Sequence, residues 1–153
     1  MDALRELMRR VPAPVAVLTF ELEGMRFGVT VGSVVSLSLE PPLVGVAIGL
    51  QSSTHGPIGD AERFAINTLA GDQEGLAQHF ARSVPPIVMW QGIAVRDRPG
   101  PPLLGDALGW IVCRRGPEYV VGDHTLFVGE VESVELGRDA AGLAYLRRSY
   151  VSV

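Results

Sequence analysis

The sequence predicts a mainly β protein with a few short helices, its strands wrapped as a barrel. Apolar and polar residues alternate in twos along much of the chain, the period of a half-buried strand. Eighteen glycines and eleven prolines in 153 residues supply many turns. No glycine-rich turn follows a strand to open a helix, so a doubly wound dinucleotide-binding sheet is not expected. The length suits one domain over residues 1–153, and 47% hydrophobic with 20% charged residues is a globular composition.

The elements follow from local pattern. Residues 2–10 predict a short helix with Leu4, Leu7 and Met8 on one side, stopped by Pro12 and Pro14. Ala13 to Phe20 is a β-like run, Glu21–Gly24 a hairpin turn, and Met25 to Val31 the returning strand. Ser33 to Leu39 places Ser36 and Ser38 on one face and Val35, Leu37 and Leu39 on the other; Pro41-Pro42 ends it. Leu43 to Leu50 is a buried-strand run. Ser52 to His55 offers helix caps, with a short helix around Gly56–Glu62. Arg63 to Leu69 is another strand. Asp72 is expected to cap a helix over Glu74–Arg82 that buries Leu76, Ala77 and Phe80. Proline-rich residues 83–102 read as a long loop. Ala107 to Arg115 is a strand ended by a turn at Gly116-Pro117, His124 to Leu136 is the last long strand, and residues 140–148 fit either a short helix or a strand.

Composition excludes several chemistries. Net charge is −4 and no basic run exceeds two residues, so no nucleic-acid surface is expected. All thirteen basic residues are Arg. Without Lys there is no Schiff base for pyridoxal chemistry and no phosphate-binding Walker lysine. The single cysteine, Cys113, cannot form an internal disulfide and reads as a small apolar strand residue. No apolar run is long enough to span a bilayer and the N-terminus has no signal-like region, so no membrane partner and a cytoplasmic location are expected.

Four segments carry possible chemistry, and each also has a plain structural reading. Gly28 to Ser38 mixes hydroxyls and glycines with apolar residues, which suits a flat polar ring approached closely by backbone, or an ordinary edge strand. Ser52-Ser53-Thr54-His55 fits an anion site at a helix start, or simple capping. Gly122-Asp123-His124-Thr125 places an imidazole beside a carboxylate, or makes a turn. Tyr145 to Tyr150 offers Arg147 and Arg148 between two tyrosines for a phosphate or a ring, or is a solvated tail.

In this order and spacing the segments resemble the flavin reductase-like, FMN-binding split-barrel family, which includes reductase components of two-component flavin monooxygenases. The resemblance is carried by Val11–Val17, Gly28–Ser38 with Glu40-Pro41-Pro42-Leu43, Ser52–His55, Arg63–Leu69, Pro102–Leu104, Ala107–Trp110 with Cys113, Gly122–Gly129 and the Arg147/Tyr150 tail. It covers essentially the whole chain. It implies an FMN-binding split β-barrel and a homodimer with flavin near the subunit interface. Thr30, Val31, Gly32, Ser33, Ser36 and Ser38 are implied at the flavin ring and ribityl chain. Ser52, Ser53 and Thr54 are implied at its tail and phosphate, with Asn67 close by. Arg147 and Tyr150 are implied to close the pocket, and His124 to stand on the nicotinamide side as the candidate catalytic residue. The chain departs from the family at Gly32 and Val35, where side-chain hydrogen bonds to flavin are lost, each worth about 0.5–1.5 kcal/mol, and at Arg148-Ser149 in the tail.

The activity implied is NAD(P)H-dependent reduction of FMN, or of FAD, by hydride transfer to flavin N5, with reduced flavin passed to a flavin-dependent monooxygenase. NADH and NADPH both stay open as co-substrate. The alternatives are a non-enzymatic flavin carrier or redox sensor on the same fold, and a barrel for another planar ligand such as haem, for which His55, His79 and His124 are the only imidazoles.

Overall fold

The computed structural model describes residues 1–153. The elements run α1 (Asp2–Met8), β1 (Ala13–Pro14), β2 (Ala16–Leu22), β3 (Met25–Val31), β4 (Val35–Leu39), β5 (Pro42–Gly49), α2 (His55–Asp60), β6 (Arg63–Thr68), α3 (Glu74–Phe80), α4 (Pro86–Met89), β7 (Gly109–Val121), β8 (His124–Leu136), β9 (Leu143–Leu146) and β10 (Ser149–Ser152). Seven strands form one antiparallel sheet in the order β3-β2-β6-β7-β8-β5-β4, and β1-β9-β10 form a second.

Connectivity forces the large sheet to curl. β3 and β4 occupy its two opposite edges, yet only Gly32, Ser33 and Val34 link them. Such a link spans at most about 14 Å between the Cα atoms it joins, so the edges must approach each other. They do not pair, and the result is a barrel split along one seam. The Ser33 hydroxyl closes that seam: it donates to the Ala47 carbonyl (2.9 Å) and accepts from the Ala47 N–H (3.1 Å). Ala47 lies two residues past Gly45, where β4 stops pairing with β5. The serine side chain thus serves backbone groups that the ladder leaves open.

Both faces of the sheet are buried at β2, which explains its continuous apolar reading. Leu18, Phe20, Val46, Phe64, Ile66 and Phe127 fill one face together with Ile58 of α2. Val15, Val17, Leu69, Ala77, Phe80, Met89 and Leu104 pack the opposite face under α3 and α4. Burial pushes the Cys113 thiol up to about 12, so it stays a neutral, inert core group.

The predicted mainly β, split-barrel class matches this architecture; three local expectations are corrected and one open reading is resolved. Gly116-Pro117 is not a turn. β7 continues to Val121, and the pairing steps from Arg115↔Gly129 to Glu118↔Phe127, so both residues face one partner in a bulge that tolerates proline. The reversal comes at Gly122-Asp123, with Gly122 at φ +60° as the first residue of a two-residue hairpin loop. Asp72 does not cap α3; its carboxylate binds Arg138 (2.9 Å), and Gln73 takes the cap position. The 83–102 loop contains α4, opened by Pro86. Residues 143–146 form β9, paired with β1 and β10.

Gly129 sits where β8 crosses the core. A methyl group there would stand 2.7 Å from Phe64 Cζ and 2.8 Å from Cys113 Sγ, both on fully buried side chains. Overpacking of this kind costs about 1–3 kcal/mol. Gly129→Ala is expected to lower the unfolding free energy by that amount, read as a lower urea midpoint at unchanged m-value; an unchanged midpoint would show that the core yields freely here.

Candidate functional site

The seam opens into two adjoining hollows that share Val29 and Ser52. The smaller, about 320 Å³, is walled by the end of β3 with Gly32 and Ser33, by Ala47 to Gly49 of β5, and by His124 at the start of β8. The larger, about 600 Å³, lies between Phe27–Val29, the Gln51–Thr54 loop, and a strap of chain from Phe80 to Pro86 with Met89. Arg82 is the only charged side chain lining the larger hollow, and His124 the only ionisable one lining the smaller.

The strap is placed by packing on β3. Gly28 lacks the side chain that would collide with Phe80, at 2.5 Å from its ring, and with Trp90 at 3.1 Å. Phe80 and Trp90 meet edge to face at 5.0 Å. Thr30 donates its hydroxyl to the Ala77 carbonyl at 2.6 Å, which draws α3 onto the same strand.

Of the residues singled out in the sequence, Thr30, Val31, Gly32, Ser33, Ser52 and His124 line the smaller hollow, and Ser52, Ser53 and Thr54 the larger. Their hydroxyls differ in what they leave free. Those of Thr30 and Ser33 serve neighbouring backbone. Ser52 Oγ meets Thr54 Oγ1 at 2.8 Å and accepts the Thr54 N–H at 3.3 Å, so neither caps α2 by the expected side-chain bond. Ser53 has no partner within the chain and is free for a ligand.

Other residues lie elsewhere. Ser36 and Ser38 sit on edge strand β4, outside both hollows, with a register irregularity between them. Asn67 is fully buried: its amide nitrogen donates to the Val17 carbonyl (2.9 Å) and Thr19 Oγ1 (3.0 Å), and its oxygen accepts the Leu104 N–H (2.9 Å). Arg147 forms the β9–β10 hairpin loop with Arg148, both at positive φ, and Tyr150 packs on Tyr145 at 5.0 Å. Arg147 and Arg148 border α1, Tyr150 packs against the core under α3, and none of them lines either hollow. Arg82 and Ser83 join the site without a signal in the sequence, because only the path of the strap turns them toward β3.

His124 is oriented by its neighbour. Its Nδ1 donates to Asp123 Oδ1 at 2.7 Å, a bond that holds the Asp123 carboxyl below the usual carboxylate range. Nε2 is left free toward the seam. Gly49, paired with His124, has no side chain to cover it; a methyl group there would come 3.8 Å from Nε2.

The profile of the flavin reductase like domain matches residues 8–153. The chain belongs to the flavin reductase-like family. It is 35% identical to the NADH:riboflavin 5'-phosphate oxidoreductase of Streptomyces pristinaespiralis, over 97% of this chain and 86% of that one. It is 33% identical to the reductase component of 4-hydroxyphenylacetate 3-monooxygenase of Thermus thermophilus, over 97% and 94%. Among solved structures, a flavin reductase complexed with NADP+ superposes with a TM-score of 0.91 at 29% identity, over 99% of this chain and 97% of that one. The flavin reductase component of a bacterial two-component tryptophan halogenase gives 0.90 at 28%, with the same coverage.

In this flavin reductase-like chain the buried Asn67 amide ties β2, β6 and the Leu104 segment together. Asn67→Ala strands two acceptors and one donor, and is expected to cost about 2–4 kcal/mol of stability. Denaturant unfolding of the protein without added ligand checks this; a change below about 0.5 kcal/mol would show that the three groups find other partners.

Proposed function

We propose that the chain is an NAD(P)H-dependent flavin reductase that reduces FMN, with FAD as the alternative, and releases reduced flavin to a partner flavin-dependent monooxygenase. One observation carries the reading: a continuous glycine- and hydroxyl-lined seam with a lone guanidinium in one hollow and a lone free imidazole nitrogen in the other. The donor set fits a flavin nucleotide. Gly32 and Gly49 let backbone approach a flat ring. Ser53 and Arg82 offer free donors to a phosphate. When bound, flavin supplies the hydride-accepting ring, so the protein's task is placement and exclusion of water.

His124 is proposed to position the nicotinamide. The Asp123 carboxylate accepts from Nδ1 and so orients the ring, and Nε2 faces the seam at the hairpin turn. Relatives named as reductase components support a monooxygenase partner. No helix is long and apolar enough to cross a membrane, and a cytoplasmic site of action is proposed with the rest.

A homodimer is part of this reading. α1 buries none of its residues, and Leu4, Leu7 and Met8 are exposed, as are Tyr119–Val121 on β7 and Val35, Leu37 and Leu39 on β4. Pairing of two chains covers apolar surface of this extent. It also offers a route by which Arg147 and Tyr150 of one chain serve the seam of the other. Light scattering is expected to give twice the 16.4 kDa chain mass; a monomer at micromolar concentration would remove the dimer from the proposal.

The activity is tested by following NADH and NADPH absorbance with FMN, FAD, riboflavin or no flavin. Flavin-dependent oxidation is expected, and His124→Ala is expected to reduce kcat/KM for the nicotinamide about 5- to 10-fold with the FMN KM unchanged. Stoichiometric flavin binding without oxidation of either nucleotide would instead identify a carrier.

A further inference from the structure

His79 engages both of its ring nitrogens, whereas His55 and His124 each engage one. Nε2 lies 2.6 Å from the Met89 carbonyl oxygen. A carbonyl only accepts, so Nε2 carries the proton. Arg82 Nη2 lies against the ring, 3.0 Å from Nδ1 and 3.5 Å from Nε2. A guanidinium only donates, so Nδ1, the nearer nitrogen and the one not bonded to Met89, is the acceptor. The same residue grips Arg82 a second time, because Arg82 Nε donates to the His79 carbonyl at 3.2 Å. These bonds use Nε–H and one hydrogen of Nη2, leaving both Nη1 hydrogens and one on Nη2 to a ligand.

Two further facts give this arrangement a purpose. Arg82 and Met89 line the larger hollow, while His79 stands behind them and lines neither hollow. Arg82 also has no carboxylate within ion-pair distance, unlike Arg63, Arg96 and Arg138. A carboxylate would hold a guanidinium firmly but cancel much of its attraction for an anion. A neutral imidazole acceptor fixes the same geometry and leaves the positive charge intact.

We propose that His79 is a positioning residue that presents Arg82 to the phosphate of the flavin nucleotide, so that this chain selects phosphorylated over unphosphorylated flavin. The proposal rests on the reading of the seam as a flavin site. A merely structural clasp between α3 and α4 would affect all flavins alike; positioning of Arg82 affects only those carrying a phosphate.

The test is equilibrium binding of FMN and of riboflavin, followed by flavin fluorescence, to the wild-type protein and to His79→Ala, His79→Gln, Arg82→Ala and the His79→Ala/Arg82→Ala double variant. Wild type is expected to bind FMN more tightly than riboflavin. His79→Ala is expected to raise the FMN Kd about fivefold, the value of one hydrogen bond, and the riboflavin Kd less than about twofold. Glutamine, whose amide can donate to Met89 and accept from Arg82, is expected to restore FMN binding. The double variant is expected to bind FMN no worse than Arg82→Ala alone, because the imidazole acts through the guanidinium. Equal weakening of FMN and riboflavin in His79→Ala, or additive losses in the double variant, would overturn the proposal and leave the flavin site standing. A wild-type protein that binds neither flavin would overturn both.

Discussion

The three-residue link between β3 and β4 governs this molecule. It joins strands at opposite edges of a seven-stranded sheet, and a link that short has no slack. The sheet must curl, and its edges must meet without pairing. Ser33, in the middle of the link, binds both main-chain groups of Ala47 and turns an open seam into a fixed one. One face becomes a closed core of Leu18, Phe20, Phe64 and Phe127; the other carries α3 and α4. The hollow beside Ser33 is therefore a product of topology, kept open because the strands on either side cannot zip together.

The second wall depends on a different constraint. Gly28 leaves space on β3 for Phe80 and Trp90, and their packing lays the strap across the strand. Thr30 then ties α3 to β3, and His79 ties α3 to α4, by hydrogen bonds to backbone carbonyls. Several hydroxyls and imidazoles that look like ligand contacts thus do mechanical work first. The groups left without a partner in the chain are the Ser53 hydroxyl, the unused donors of Arg82 and Nε2 of His124.

This division leaves the larger hollow with a guanidinium and no carboxylate, as the proposed binding of a dianionic, flat, polar ligand requires. Carboxylates are kept out of the seam. Asp72, Glu132 and Glu135 are held by Arg138, Arg63 and Arg96 on the outer surface, each below its ordinary range because the arginine donates to it. Asp123 alone approaches, and it faces His124 rather than the ligand space. The membership of the chain in the flavin reductase-like family agrees with the flavin site proposed here.

The sequence by itself determined the strand order along the chain, the β2–β3 hairpin, the single helix faces and the family, because alternation, turn residues and ordered motifs are local signals. It also pointed to Gly32, Ser33, Ser52 and His124, which the fold does gather at one seam. Tertiary structure decided the rest. Gly116-Pro117 resembles a turn until β8 supplies a partner and makes it a bulge. Asn67 resembles a ligand contact until β2 and Leu104 take both of its side-chain donors and its carbonyl oxygen in a fully buried place. Arg82 resembles the end of a helix until the strap turns it into the hollow. For Asn67 and Arg82 the deciding groups lie tens of residues away, and for Gly116-Pro117 they lie on the next strand; no local pattern encodes which backbone atoms a residue will meet.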